Sequence, residues 1–261
     1  MMFSLIIQAI VQGLTEFFPV SSSGHLLFLQ TLYPLKHIDN LFIDVFLHSA
    51  TFLVIIIYYF KDIVKILTNF FKSPFNLSNQ DTKLGWLIIA GSIPTGIIGI
   101  IIMKFFSSIF YKANILFFTW SLTALFLIIS DKIKNSKKDI YDITLKDALL
   151  IGLIQGIAIF PGISRSGSTI ITALFLKVKR NAAAKFSFLL GLPAMLAGIL
   201  IELKDIKNVM LQPSFIWIFV ITFISGLIGL LLLIKLLKNA KFKYFGIYLI
   251  ILIILLTLKT L

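Results

Sequence analysis

Apolar runs separated by short basic loops make up nearly the whole chain. Six of them, about 41–60, 83–106, 113–130, 183–203, 214–238 and 243–260, approach or exceed the roughly 18–20 residues that cross a hydrocarbon core. Two further apolar stretches, 3–35 and 147–178, are broken midway by Phe18-Pro19-Val20-Ser21-Ser22-Ser23-Gly24 and Pro161-Gly162-Ile163-Ser164-Arg165-Ser166-Gly167. Proline ends a helix and glycine supplies the turn. Each flanking arm is too short to span a bilayer, so both stretches read as re-entrant hairpins. Residues 61–72 place Ile63, Ile66, Leu67, Phe70 and Phe71 on one helical face and Lys61, Lys65 and Lys72 elsewhere, the pattern of an interfacial helix. The expected fold is therefore all-α and polytopic, with six transmembrane helices and two re-entrant helical hairpins.

The pattern repeats at an offset of 143 residues, which aligns Gln12-Gly13 with Gln155-Gly156, Ser21 with Ser164, Ser23 with Ser166 and Gly24 with Gly167. After a deletion of 13 residues, Gly96-Ile97-Ile98-Gly99 aligns with Gly226-Leu227-Ile228-Gly229. One membrane domain over 1–261 thus divides into half one (1–130), a linker (131–146) and half two (147–261). Each half holds one hairpin and three spans. An odd number of spans inverts the second copy, giving an inverted-topology repeat whose broken helices meet near the midplane.

Composition agrees with this and charge adds the orientation. The chain has 261 residues, 59% of them hydrophobic, and a mean hydropathy of +1.02, far above soluble-domain usage. The formal charge of +13 lies mostly in short loops, as the positive-inside bias requires, and does not indicate nucleic acid. Loops 61–83, 131–185 and 235–243 carry seventeen Lys or Arg outside the hairpin tip, against six on the other side (Lys36, Lys104, Lys112, Lys204, Lys207 and Lys259). The first side is expected to be cytoplasmic and both termini outside. No Lys or Arg precedes Lys36, so a secretory signal is not expected at the N-terminus. The absence of cysteine excludes disulfides and thiolate metal sites.

At the hairpin tips the halves diverge. Half one carries Gln12, Glu16, Ser21, Ser22, Ser23 and His25, whereas half two carries Ser164, Arg165, Ser166, Ser168 and Thr169, with Ile159 opposite Glu16. A carboxylate, an imidazole and a guanidinium at membrane depth are costly and usually line a functional cavity. Gln12 and Glu16 lie one turn apart, as do Asp44 and His48. Each Ser-rich turn opens a helix whose first N–H groups favour an anion. Arg165 adds a fork suited to phosphate. An anionic, phosphate-like ligand at the centre is the expectation. The competing view is that the serines, threonines and glycines pack helices and that Arg165 merely pairs with Glu16.

The stretches Gln12-Gly-Leu-Thr-Glu-Phe-Phe-Pro-Val-Ser-Ser-Ser-Gly-His25 and Pro161-Gly-Ile-Ser-Arg-Ser-Gly-Ser-Thr169 resemble the two signatures of the undecaprenyl-pyrophosphate phosphatase family, also called bacitracin-resistance proteins. The resemblance implies a hydrolase of the bacterial cytoplasmic membrane that removes the terminal phosphate of undecaprenyl pyrophosphate and recycles the carrier lipid for cell-wall synthesis. It implies a divalent cation, Mg²⁺ or Ca²⁺, with Glu16 as a metal ligand. It also implies catalytic roles for Glu16, Ser22 as nucleophile, His25 as acid/base and Arg165 as phosphate clamp. Gln12, Ser21, Ser23, His48, Ser164, Ser166 and Thr169 are expected to contact substrate. Gln12 stands where the family also carries Glu. The expected partners are the polyprenyl pyrophosphate and the bilayer; monomer and homodimer both remain open. A transporter or flippase of a phosphorylated polyprenyl lipid is the alternative, because broken inverted repeats also build secondary transporters.

Overall fold

The computed structural model describes residues 2–33, 40–106, 112–133, 136–203, 215–237 and 241–260. Parts of the loops counted for orientation, with Lys36, Lys134, Lys204, Lys207 and Lys238, lie outside the described residues, as do positions 214 and 238 of the fifth expected span. The described residues form eleven α-helices and a one-turn 3₁₀ helix at Ile140–Asp142. In chain order they are α1 (Met2–Phe17), α2 (Ser22–Leu32), α3 (Asn40–Tyr58), α4 (Phe60–Lys72), α5 (Gln80–Phe106), α6 (Ile115–Ser130), α7 (Leu145–Ile157), α8 (Arg165–Phe175), α9 (Arg180–Leu203), α10 (Phe215–Leu237) and α11 (Lys243–Thr260).

Each apolar run of the sequence is a helix, and each punctuated run is a pair of short ones. Gln80–Phe106, Arg180–Ile201 and Phe215–Leu237 are long and apolar enough to cross a membrane, and a fourth candidate is Phe42–Tyr58 with Phe60–Lys72, bent by 75°. Met2–Phe17, Ile115–Ser130 and Lys243–Leu258 are shorter apolar helices. Large apolar side chains such as Ile100, Phe118, Trp217 and Leu258 stay exposed around the outside, where water would be a poor solvent and lipid a good one. The molecule is a multi-pass membrane protein. Helix α4 turns away from α3 with Phe71 and Leu67 exposed and Ile66 buried.

Two close helix pairs organise the interior, α1 on α10 and α5 on α7. Both depend on small residues, because in lipid it is backbone approach and packing, not water expulsion, that joins helices. A Cβ on Gly13 would lie 2.6 Å from the backbone of Gly226 and of Thr222, and one on Gly152 would lie 1.9 Å from the carbonyl oxygen of Gly91. Thr95 then donates to the carbonyl of Gly152 at 2.7 Å. Helix α3 packs on α9 and α6 on α11, while α10 also packs on α3 and α5 on α9. The short arms α2 and α8 pack on α1 and α7, and both breaks are buried, with Val20, Ser21, Pro161, Gly162 and Ser164 shielded from the outside.

One end of the bundle is laced by ion pairs. Lys185 reaches Asp62 at 2.7 Å, Lys65 reaches Asp81 at 3.2 Å and Lys138 reaches Asp147 at 2.8 Å. Tyr141 donates to Asp81 at 3.0 Å, and Asp131 accepts the backbone N–H groups of Phe242 and Lys243 at the start of α11. Loops from 61–83, 131–147, 177–185 and 241–243 therefore meet at one end.

Gly152→Ala is expected to force α5 and α7 apart, with the roughly 1–3 kcal/mol cost of overpacking outweighing the better helix propensity of alanine. Gly96→Ala, where an added Cβ meets nothing within 4 Å, is the control. Thermal unfolding in detergent should show Gly152→Ala less stable and Gly96→Ala equal to or above the parent. Equal stability of the two variants would remove the close-approach argument.

Candidate active site

The two helix breaks interlock. After Phe17 the chain turns through Pro19, and Ser21 takes φ 67°, ψ 98°, a conformation rare for a side chain other than glycine. Its hydroxyl oxygen caps α2 by accepting from Gly24 N–H at 3.2 Å. The same oxygen accepts Gly162 N–H from the other break at 3.1 Å. In return, Ser166 donates to the carbonyl of Phe18 at 3.2 Å. Gly162 sits at φ +92°, and any Cβ there would strike Thr119; Thr123 holds its carbonyl at 2.9 Å. A Cβ on Gly24 would lie 2.9 Å from the Cα of Gly162. Glycine at these positions lets two backbones touch.

This interlock aims the first residues of α2 and α8 at one carboxylate. Glu16, the penultimate residue of α1, is 7% exposed. Ser22, first in α2, donates its hydroxyl to Glu16 Oε2 at 2.6 Å. Arg165, first in α8, donates Nη2 to Glu16 Oε1 at 2.6 Å. Gln12, fully buried one turn back on α1, donates to Oε2 at 3.1 Å. His48 on α3 places Nε2 at 3.5 Å from Oε2, while its Nδ1 donates to the carbonyl of Asp44 at 2.7 Å. Charge-assisted bonds from three donors are what a buried carboxylate needs to stay ionised. Two groups on this cluster keep unused capacity: Arg165 Nη1 and Gln12 Oε1 are buried without a partner.

The expected residues separate into two sets. Gln12, Glu16, Ser22, His48 and Arg165 converge. The hydroxyls of Ser21, Ser164, Ser166 and Thr169 are instead occupied inside the tips. Ser164 caps Gly167 N–H at 3.0 Å, and Thr169 bonds the carbonyl of Arg165 and the hydroxyl of Ser187. Ser23, half-buried, lies 3.3 Å from Ser21. His25 does not approach Ser22. Its Nδ1 folds back onto the carbonyl of Ser21 at 2.6 Å, and its Nε2 meets the hydroxyl of Tyr248 at 2.9 Å, with Trp120 alongside. Ser22, the expected nucleophile, is thus bonded to Glu16 and not to His25, the expected acid/base: both lie on α2 three residues apart, but that spacing does not fix which way the ring rotates.

Sequence reasoning passed over Gly191. A Cβ there would fall 1.9 Å from Arg165 Nη1, so glycine leaves the room that the guanidinium occupies. A signal existed: Gly191 stands 143 residues after His48, the repeat spacing itself. Tyr248, Thr119 and Thr123 are isolated hydroxyls on the expected spans 243–260 and 113–130, and nothing in their spacing marks them.

Most of the chain has relatives. Residues 5–255 match the family model described as bacitracin resistance protein BacA. A protein named undecaprenyl-diphosphatase from Halothermothrix orenii is 40% identical over 219 residues, 84% of this chain and 81% of that protein. One of the same name from Alkaliphilus metalliredigens is 41% identical over 215 residues, 79% of this chain and 78% of the relative. Undecaprenyl-diphosphatase 4 of Bacillus thuringiensis subsp. konkukian is 42% identical over 200 residues, 77% of this chain and 73% of the relative.

If Gly191 exists to admit Arg165, the two positions must couple. Gly191→Ala should lower stability in detergent by about 1–3 kcal/mol, the cost of overpacking. In an Arg165→Ala background the same change should be neutral or stabilising, since alanine suits a helix better and the clash is gone. Thermal unfolding of the four proteins tests this, and additive effects would refute the coupling.

Proposed function

The chain belongs to the bacitracin-resistance BacA family, and we propose that the Glu16 cluster is where it acts as an undecaprenyl-diphosphatase. The reaction removes the terminal phosphate of undecaprenyl diphosphate and returns undecaprenyl phosphate for reuse in cell-wall synthesis. One observation carries the assignment of the site: a buried carboxylate holds a serine hydroxyl on one oxygen and an arginine on the other, at the meeting point of two half-helix N-termini. Phosphoryl transfer asks for positioning and charge neutralisation, and both are present.

The steps follow from the contacts. The terminal phosphate binds where the N-termini of α2 and α8 converge, with Arg165 Nη1 donating to it while Nη2 keeps Glu16 in place. Ser22 gives its proton to Glu16 Oε2 as its oxygen attacks the terminal phosphorus, and the bond to the bridging oxygen breaks. Undecaprenyl phosphate leaves as a phosphate monoester and needs no strong acid. Water then attacks the phosphoserine, Glu16 returns the proton to Ser22, and inorganic phosphate departs. His48 stands beside the same carboxylate oxygen and helps orient it.

A Mg²⁺ or Ca²⁺ ion fits this cluster in part. Glu16 Oε2 and the unpartnered Gln12 Oε1 are hard oxygen donors one turn apart, and Mg²⁺ commonly takes few protein ligands and completes its shell with phosphate oxygens and water. Bound there, the ion would neutralise charge developing on the phosphates.

The membrane arrangement supports the same reading. We take α3, α5, α6, α9, α10 and α11 as six spans, with α1–α2 and α7–α8 as re-entrant hairpins in a single domain. Exchange of the halves turns the α1–α10 contact into α7–α5 and α2–α3 into α8–α9, as an inverted repeat requires. The lysine-rich loops joined by ion pairs at one end are the cytoplasmic side of the inner membrane, and both termini lie outside. The polyprenyl tail then runs in the surrounding lipid while its diphosphate reaches the middle of the bundle.

Two measurements test the proposal. Purified protein in detergent should release phosphate from farnesyl or undecaprenyl diphosphate with no ion gradient, and chelation should reduce the rate. Ser22→Ala should abolish turnover, and acid-quenched wild-type enzyme should carry phosphate on Ser22 by mass spectrometry. Residual hydrolysis within about 10²-fold of wild type, with no adduct, would make Ser22 a binding residue and water the nucleophile. Wild-type protein that releases no phosphate would favour the transporter reading.

Orientation is tested separately, because the chain has no cysteine of its own. A cysteine at exposed Lys137 should resist impermeant thiol reagents in intact cells, whereas one added after Leu261 should react. Equal labelling would reverse or abolish the assigned topology.

A further inference from the structure

His25 and Tyr248 are linked across 223 residues of sequence by a contact that the phosphatase chemistry above does not use. The carbonyl of Ser21 can only accept, so the His25 nitrogen 2.6 Å from it, Nδ1, carries the proton. In the neutral ring Nε2 is then an acceptor, and the Tyr248 hydroxyl at 2.9 Å donates to it. The two rings stack, with centroids 5.7 Å apart and an interplanar angle of 7°. Both imidazole nitrogens are thus engaged, and neither is directed at Ser22.

What His25 holds is the unusual part of the site. Ser21 sits at φ 67°, and a non-glycine residue there needs surrounding contacts to keep it. The other half of the molecule supplies a control. Ser164, the counterpart of Ser21, has φ −73° and ψ 116°, an ordinary N-cap conformation. Ser168, the counterpart of His25, contributes only its backbone N–H to the Ser164 carbonyl, at 2.8 Å. The strained turn has an imidazole clasp and the relaxed turn has none. The strained turn is also the one that delivers a short side chain, Ser22, onto Glu16 at 2.6 Å.

We propose that Tyr248 and His25 are positioning residues: Tyr248 fixes the His25 ring, His25 fixes the Ser21 carbonyl, and the turn so held aims Ser22 at Glu16. The clasp joins α11 to the hairpin tip, so the last helix of the chain takes part in the site without touching the phosphate. The kinetic part of this inference rests on the phosphatase reading, while its geometric part does not.

The two parts have separate tests. Nitrogen-15 NMR of histidine-labelled protein in detergent should show His25, identified by its loss in His25→Asn, protonated at Nδ1 and bare at Nε2. Tyr248→Phe should shift the Nε2 resonance. The opposite tautomer, or a resonance unmoved by Tyr248→Phe, would overturn the clasp even if the protein hydrolyses nothing.

For turnover, asparagine places its side-chain nitrogen where Nδ1 stands but cannot shuttle a proton. His25→Asn should therefore keep at least about tenfold more kcat than His25→Ala. Tyr248→Phe should lower kcat by about 10–100-fold with KM little changed, the scale of a small misplacement of a reacting group. It should have no further effect in the His25→Asn background. Equal inactivity of His25→Asn and His25→Ala would make His25 an acid or base instead, and a wild-type kcat for Tyr248→Phe would remove Tyr248 from the site.

Discussion

A single buried carboxylate sets the terms for the rest of the molecule. Glu16 lies at the end of a half-length helix, and keeping it charged away from water requires donors close by. Ser22, Arg165 and Gln12 supply them from three helices, two of which begin only because the chain breaks at Pro19 and at Gly162. Those breaks approach this closely because glycine stands at Gly24 and Gly162, where an added Cβ would strike the opposing tip or Thr119. Removing one partner of such a buried pair typically costs about 3–5 kcal/mol, since the other charge is left stranded. The contact that completes the fold is thus also the one that would prepare the proposed chemistry, because the groups that hold Glu16 include the serine and the arginine to which the proposal gives attack and phosphate binding.

The large-scale architecture was legible because the bilayer is an undemanding reader. Run length alone located α3, α5, α6, α9, α10 and α11 to within a few residues, and proline, glycine and serine marked both breaks. The placing of Glu16, Ser22 and Arg165 near one another was legible too, from polar and charged residues beside the two helix breaks. What spacing did not carry was side-chain direction. Ser22 and His25 share a face of α2, yet one turns to Glu16 and the other to the carbonyl of Ser21. Spacing along a helix does not contain that choice; it depends on Tyr248, which arrives from the far end of the chain. Ser164, Ser166 and Thr169 were read toward a ligand; here their hydroxyls bond the backbone of the opposing tip and of their own helix, partners that the spacing does not name. Gly191 shows the opposite blindness, since a glycine in an apolar run has no visible partner until the arginine it admits is in place.

The repeat explains why the site is lopsided. Exchanging the halves places Ser22 on Arg165, Glu16 on Ile159 and His48 on Gly191. Had both halves kept the carboxylate, two like charges would face each other at low dielectric and one would be forced neutral. Had both kept the arginine, no acceptor would remain for either proton. One carboxylate serving a hydroxyl on one oxygen and a guanidinium on the other avoids both problems. The volumes trade in the same way. The long side chain, Arg165, lies over Gly191, and the bulky His48 lies by the oxygen that the short side chain, Ser22, uses. A helix-start residue and the residue near it on α3 or α9 are therefore matched in size, large with small in one half and small with large in the other. In the proposed repeat, that reciprocal matching fits two like-built halves around an asymmetric set of charges. The clasp on Ser21 completes the account: the half that carries the short nucleophile must bring its backbone closer, and the strained turn held by His25 and Tyr248 is how it does so.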